Sequence, residues 1–140
     1  MTKLLKDIVK GLGCHVECEY WPRVDVSGFN RCCGEWAKWS REVAIEHEGG
    51  KDWKQEELCK LFDFNAGLKV LIAYPRRKEL EKMLKQLPAI YRSRKYVTSP
   101  CKYLFIVGPG TDFDDFTAFA FDGNTTAEIT GGARIVISGA

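Results

Sequence analysis

The sequence predicts an α/β fold: one domain over residues 1–140, built on a mixed central β-sheet flanked by helices. Three observations predict it. Residues 68–74, Leu-Lys-Val-Leu-Ile-Ala-Tyr, form a nearly unbroken apolar run, which suits a strand buried on both faces. Stretches at 3–12, at 53–62 and after Pro75 carry apolar residues at helical spacing. Short alternating segments precede these units and a hairpin pattern follows them, so strand pairs lead into strand-helix-strand units and a mixed sheet results. With 45% hydrophobic and 29% charged residues, the composition is that of an ordinary globular protein large enough to bury a core.

The elements follow in order. Thr2 caps a helix over 3–12, whose face is Leu4, Leu5, Ile8, Val9 and Leu12, with Gly11 and Gly13 as its stop. Asp7 sits on the opposite or flanking side. Segments 15–21 and 23–29, separated by Pro22, read as two neighbouring strands or one bent ribbon. Asp25 falls between Val24 and Val26, where aspartate is a poor strand former, so the placement suggests a task. Residues 30–40, with Cys32-Cys33-Gly34, Trp36 and Trp39, form a connecting loop. Residues 41–48, Arg-Glu-Val-Ala-Ile-Glu-His-Glu, form a short strand ended by Gly49-Gly50. Asp52 caps the next helix, apolar at Trp53, Leu58, Leu61 and Phe62 and polar at Lys54, Gln55, Glu56 and Glu57. The third helix uses Leu80, Met83, Leu84 and Leu87 and is expected to break at Pro88. A buried strand at 103–107 precedes Gly-Pro-Gly. Residues 116–121, an Asp122-Gly123-Asn124 turn and 125–129 make a hairpin, with an edge strand at 135–137.

Net charge is only +2, so nucleic-acid binding has to rest on local basic clusters. No run of about eighteen apolar residues suits a membrane span, and the N-terminus lacks a signal peptide's apolar core. Cys14, Cys18, Cys32, Cys33, Cys59 and Cys101 therefore read as thiols of a cytoplasmic protein without membrane contact. Zinc is disfavoured, since Cys14-His15 with Cys18, or Cys32-Cys33, lacks Cys-x-x-Cys knuckle spacing.

The chemistry concentrates at the end of strand 41–48. Side chains alternate along a strand, so Glu46 and Glu48 project from one face and His47, expected to be packed, from the other. If strand 23–29 is a neighbour, Asp25 joins them, and hard carboxylate oxygens suit Mg²⁺ or Mn²⁺. Such an ion activates water and stabilises charge on a phosphate during hydrolysis.

Over about residues 3–75, a helix, Arg-Val-Asp-Val, Val-Ala-Ile-Glu-His-Glu, a capped helix and a buried strand resemble the PD-(D/E)XK nuclease superfamily. The resemblance implies the restriction-endonuclease-like fold and Mg²⁺-dependent cleavage of DNA phosphodiesters. It makes Asp25 and Glu46 metal-binding acids, with Asp7 near an additional acid of many members. A homodimer is a further expectation, since many proteins of this fold dimerise. Glu48 stands where the family usually has lysine. Three readings follow: Glu48 acts as base or metal-orienting group, as in Glu-x-Glu members; the lysine has moved to Lys38 or Lys54; or the chain is a noncatalytic nucleic-acid- or protein-binding module.

Basic residues gather at Arg76-Arg77-Lys78, Lys82, Lys85, Arg92, Arg94 and Lys95, with Tyr91 and Tyr96 interleaved. Lys82 and Lys85 read as a solvated helix face. Arg92, Arg94 and Lys95 are the expected nucleic-acid contacts. Trp36, Trp39 and Trp53 are read as packing residues that could also stack on bases.

Overall fold

A computed structural model describes residues 2–20, 24–29, 41–49, 55–94, 102–108, 115–130 and 133–137. The apolar run becomes β4 (Ala66–Ala73), buried from Val70 to Ala73. It lies between β3 (Arg41–His47) and β5 (Lys102–Val107), both parallel to it, in registers that align Ala44, Lys69 and Tyr103. Helices α2 (Gln55–Asp63) and α3 (Arg77–Ser93) connect these strands. On the β3 side, β2 (Val24–Phe29) and β1 (His15–Tyr20) add antiparallel. On the β5 side, β6 (Thr117–Phe121), β7 (Thr126–Thr130) and β8 (Ala133–Ile137) do the same. The eight described strands thus form one mixed sheet in chain order, and α1 (Thr2–Gly11) completes the described helices.

Two apolar clusters separate the faces. Leu58, Leu61 and Phe62 of α2 and Leu80, Met83, Leu87 and Ile90 of α3 pack with Ala44, Leu71, Tyr103, Phe105 and Phe121. Phe62, Tyr91, Tyr103 and Phe121 meet at centroid distances of 4.9–6.4 Å, several of them edge to face. On the other face Leu5 and Val9 of α1 pack with Val26, Val43, Ile45, Val70 and Ile72. Gly28 makes that approach feasible, because a Cβ there would lie 2.5 Å from Val9 Cγ1. Parallel neighbours joined by crossovers of one hand put both connecting helices on one face, which leaves the other to α1.

Several expectations about element ends change. Pro88 does not break the third helix, which runs from Arg77 to Ser93. Proline removes one helical N–H, but Leu87 and Ile90 on either side are buried in the core, and that burial holds the helix past it. The helix expected at 53–62 is described only from Gln55; its first residues, with Trp53, Lys54 and the loop at 30–40, lie outside the described residues. Lys69, at an apparently apolar strand position, is buried; its Nζ donates to the Phe62 carbonyl at 2.9 Å and to Tyr103 Oη at 3.4 Å. It therefore satisfies a carbonyl at the end of α2. At the opposite hairpin, Asp122 Oδ1 accepts the N–H groups of Asn124 (2.9 Å) and Thr125 (2.8 Å), and these bonds hold its carboxyl below the usual range. Gly123 has φ 101°, which supplies the left-handed residue that this turn requires. Among the described residues, no helix is long and apolar enough to cross a membrane.

Candidate functional site

In an open α/β sheet the carboxyl ends of parallel strands form the natural ligand edge. Glu46 and His47 stand at that edge on β3, Ala73 and Tyr74 on and just after β4, and Val107 and Gly108 at the end of β5. β2 arrives antiparallel, so its beginning, with Asp25, meets the end of β3.

The two strands separate there. Backbone partners run Gly28↔Val43, Ser27↔Ala44 and Val26↔Ile45. At Asp25, opposite Glu46, side chains replace the ladder. The Asp25 N–H donates to Glu46 Oε2 at 3.1 Å, and the His47 N–H donates to Asp25 Oδ2 at 2.7 Å. Regular alternation would place Val24 beside Val26. Instead Val24 joins the core under α2 and α3, while Val26 joins the core under α1. The unfavourable strand aspartate thus marks the point where β2 leaves its ladder.

Glu46 is only 7% exposed, on the face covered by α2. Burial, a hydrogen bond with the Glu57 carboxyl and the nearby Asp25 carboxylate push its carboxyl up to about 8, against a smaller opposing effect of the Asp25 N–H. Glu57 is held from its other side: Lys60 Nζ donates to both its oxygens, at 2.7 and 2.8 Å, and the same contact raises the Lys60 ammonium. The result is a continuous polar chain, Lys60 to Glu57 to Glu46 to Asp25 to the His47 amide.

Asp7, Arg92 and Arg94 stand away from this site. Asp7 is exposed on α1, across the sheet from Glu46, because Leu5 and Val9 turn that helix's other side inward. The Glu48 N–H donates to the Ile72 carbonyl at 2.8 Å, extending the β3–β4 ladder, and the side chain is half-buried. The carboxyl against Glu46 is that of Glu57. Lys54 and Lys95, with Lys38, lie outside the described residues. Arg92 and Arg94 stand at the far end of α3, whose 17 residues span roughly 25 Å, at the opposite sheet edge. Arg94 is committed there, with Nε donating to Asp63 Oδ1 at 2.9 Å and Nη2 to Oδ2. Among the described residues, the exposed cations Arg76, Arg77 and Lys78, where α3 begins, stand at the acid edge, in addition to Lys60 on Glu57.

Glu57 and Lys60 were missed at the sequence level, although a signal existed. A right-handed crossover after β3 places α2 over the Glu46 face, and residues three apart on a helix are neighbours. His47 behaves as expected: it points away from the acids, with Nε2 3.3 Å from Tyr74 Oη and the rings edge to face.

Asp25, Glu46 and Glu57 offer hard oxygen donors of the kind Mg²⁺ and Mn²⁺ take. Among the described residues, no group of three or more His, Cys, Asp or Glu side chains is set out as a metal cage. The Asp25 and Glu46 carboxyls instead engage N–H donors, and Glu46 also engages Glu57. Of the cysteines whose side chains are described, Cys14 and Cys59 are free thiols, and burial raises Cys14. No family model, curated protein or solved structure matches the chain.

Proposed function

We propose that the chain is a metal-dependent nuclease of the restriction-endonuclease-like fold, cleaving DNA phosphodiesters at the Asp25–Glu46 edge. The observation that carries this reading is the pair of bonds at the opened β2–β3 ladder, the Asp25 N–H to the Glu46 carboxyl and the His47 N–H to the Asp25 carboxyl, at the carboxyl edge of a mixed α/β sheet. Asp25 and Glu46 would hold Mg²⁺ or Mn²⁺, with Glu57 as the nearest further carboxyl. When bound, the ion supplies charge stabilisation at the phosphate and lowers the pKa of a bound water. Glu57 accepts or relays the water's proton, and Lys60 holds Glu57 in place as a positioning residue. Glu48, just beyond β3, stays the alternative base, and Lys60 takes the part for which Lys38 and Lys54 were the sequence candidates.

Asp25→Asn and Glu46→Gln test this against the folded wild-type chain. Expected is Mg²⁺-dependent cleavage of labelled DNA that falls at least about 100-fold in each variant, the scale at which a positioned acid or base contributes. Unchanged cleavage in both variants, or none from the folded wild type, sinks the reading.

One observation favours a second reading, a noncatalytic nucleic-acid- or protein-binding module. The Asp25 and Glu46 carboxyls already serve as ladder substitutes, so they could act as a structural clasp alone. In that case Asp25→Asn loosens the β2–β3 contact and changes nothing else.

A further inference from the structure

The carboxyl edge carries a second cluster, on the opposite side of β3 from the acids. The Tyr74 ring sits edge to face on His47, with centroids 5.8 Å apart and planes at 82°. The same ring occupies the space over Gly108, where any Cβ would overlap it, and Phe116 Cε1 lies 3.0 Å from that Cβ position. Glycine at 108 is thus what lets Tyr74 and Phe116 come together at the strand end. Phe116 is 55% exposed, a large aromatic surface left to solvent beside a fixed tyrosine. The chain leaves Tyr74 through Pro75 directly into the exposed cations Arg76, Arg77 and Lys78. The His47 amide, bonded to Asp25 Oδ2, ties this cluster to the acid site through a single residue.

We propose that the Tyr74–Phe116 surface, with Arg76 and Lys78, binds unpaired nucleotides, so that the substrate strand is single-stranded where it crosses this edge. The inference rests on the nuclease reading and narrows its substrate. An exposed ring at a sheet edge reaches only a base that has left its stack, and a basic track beside an aromatic platform is how single strands are held without sequence readout. Tyr74, fixed by His47 and Gly108, orients the platform; Phe116 offers the stacking surface; Arg76 and Lys78, two and four residues after Tyr74, neutralise neighbouring phosphates. This places single-strand binding at the acid edge, where sequence patterning alone had favoured Arg92, Arg94 and Lys95.

The test measures binding of an oligothymidylate of about 12 nucleotides, within the usual single-strand site size, and of a blunt duplex of similar length, by fluorescence anisotropy without divalent ions. The single strand is expected to bind at least about tenfold more tightly. Phe116→Ala should weaken single-strand binding about 5- to 100-fold, the range of one stacked base, and leave duplex binding unchanged. Arg76→Gln with Lys78→Gln should weaken it further and reduce its salt slope by about one to two. Equal affinity for both probes, or single-strand binding indifferent to Phe116→Ala, overturns the proposal. Mg²⁺-dependent cleavage of the blunt duplex at a rate equal to or above that of the single strand also overturns it and leaves the nuclease reading standing. Phe116-dependent single-strand binding without Mg²⁺-dependent cleavage by the wild type upholds the binding surface and removes the nuclease reading.

Discussion

Glu46 keeps a proton that an exposed glutamate gives up well below neutrality, because burial and the Glu57 and Asp25 carboxyls oppose its charge. With the carboxyl at about 8 in the folded chain and 4.5 as its ordinary value, the folded state holds a proton that the unfolded state has lost between those pH values. Its contribution to stability is therefore complete below pH 4.5, declines as pH rises, and is gone above about pH 8. Urea midpoints of the metal-free chain should fall over that window. Glu46→Gln, which cannot ionise, should flatten the decline, and a slope unchanged in that variant would place the proton elsewhere. At this scale the sequence told much about Asp25 and Glu46, since a strand aspartate and a carboxylate at a strand end are both unfavourable placements. It said less about Glu57 and Lys60, whose relation to Glu46 exists only once the handedness of the β3–β4 crossover is applied. Arg94 shows the opposite failure: its charge was legible, but its ion pair with Asp63 depends on two helix ends meeting.

Among the elements, α3 best shows how packing overrides local preference. Leu87 is fully buried between the helix and the sheet, so Leu87→Ala should destabilise the chain by about 2–5 kcal/mol. Pro88, one residue on, is half-buried within the same helix. Pro88→Ala restores a helical N–H and should raise stability by about 2 kcal/mol, after allowing for the freer unfolded chain. Chemical denaturation of both variants checks the pair, and a destabilised Pro88→Ala would mean that the proline ring itself fills the core. Periodicity located each of the expected helices and strands, because the alternation of 2 and the spacing of 3.6 come directly from burial on one face. Their ends were less legible. Pro88 and Lys69 both obey tertiary partners, the core around Ile90 in one case and the Phe62 carbonyl in the other.

For the whole molecule, the decisive feature is which edge of the sheet each group occupies. The mixed α/β architecture was readable from one doubly buried run flanked by helical patterns. Strand order was not written in any single stretch, and it is what puts Asp25 against Glu46 while carrying Arg92 to the far edge. The same order brings Tyr74, Gly108 and Phe116 together from three parts of the chain. The proposed nuclease reading turns on the acid edge being a divalent-ion site. The measurement that tests it most directly is a calorimetric titration of the folded chain with Mn²⁺, repeated in buffers of different ionisation enthalpy. Binding to one site is expected, accompanied near neutral pH by release of about one proton as Glu46 ionises, and lost in both Asp25→Asn and Glu46→Gln. No binding by the wild type, or binding that survives both substitutions, would contradict the account.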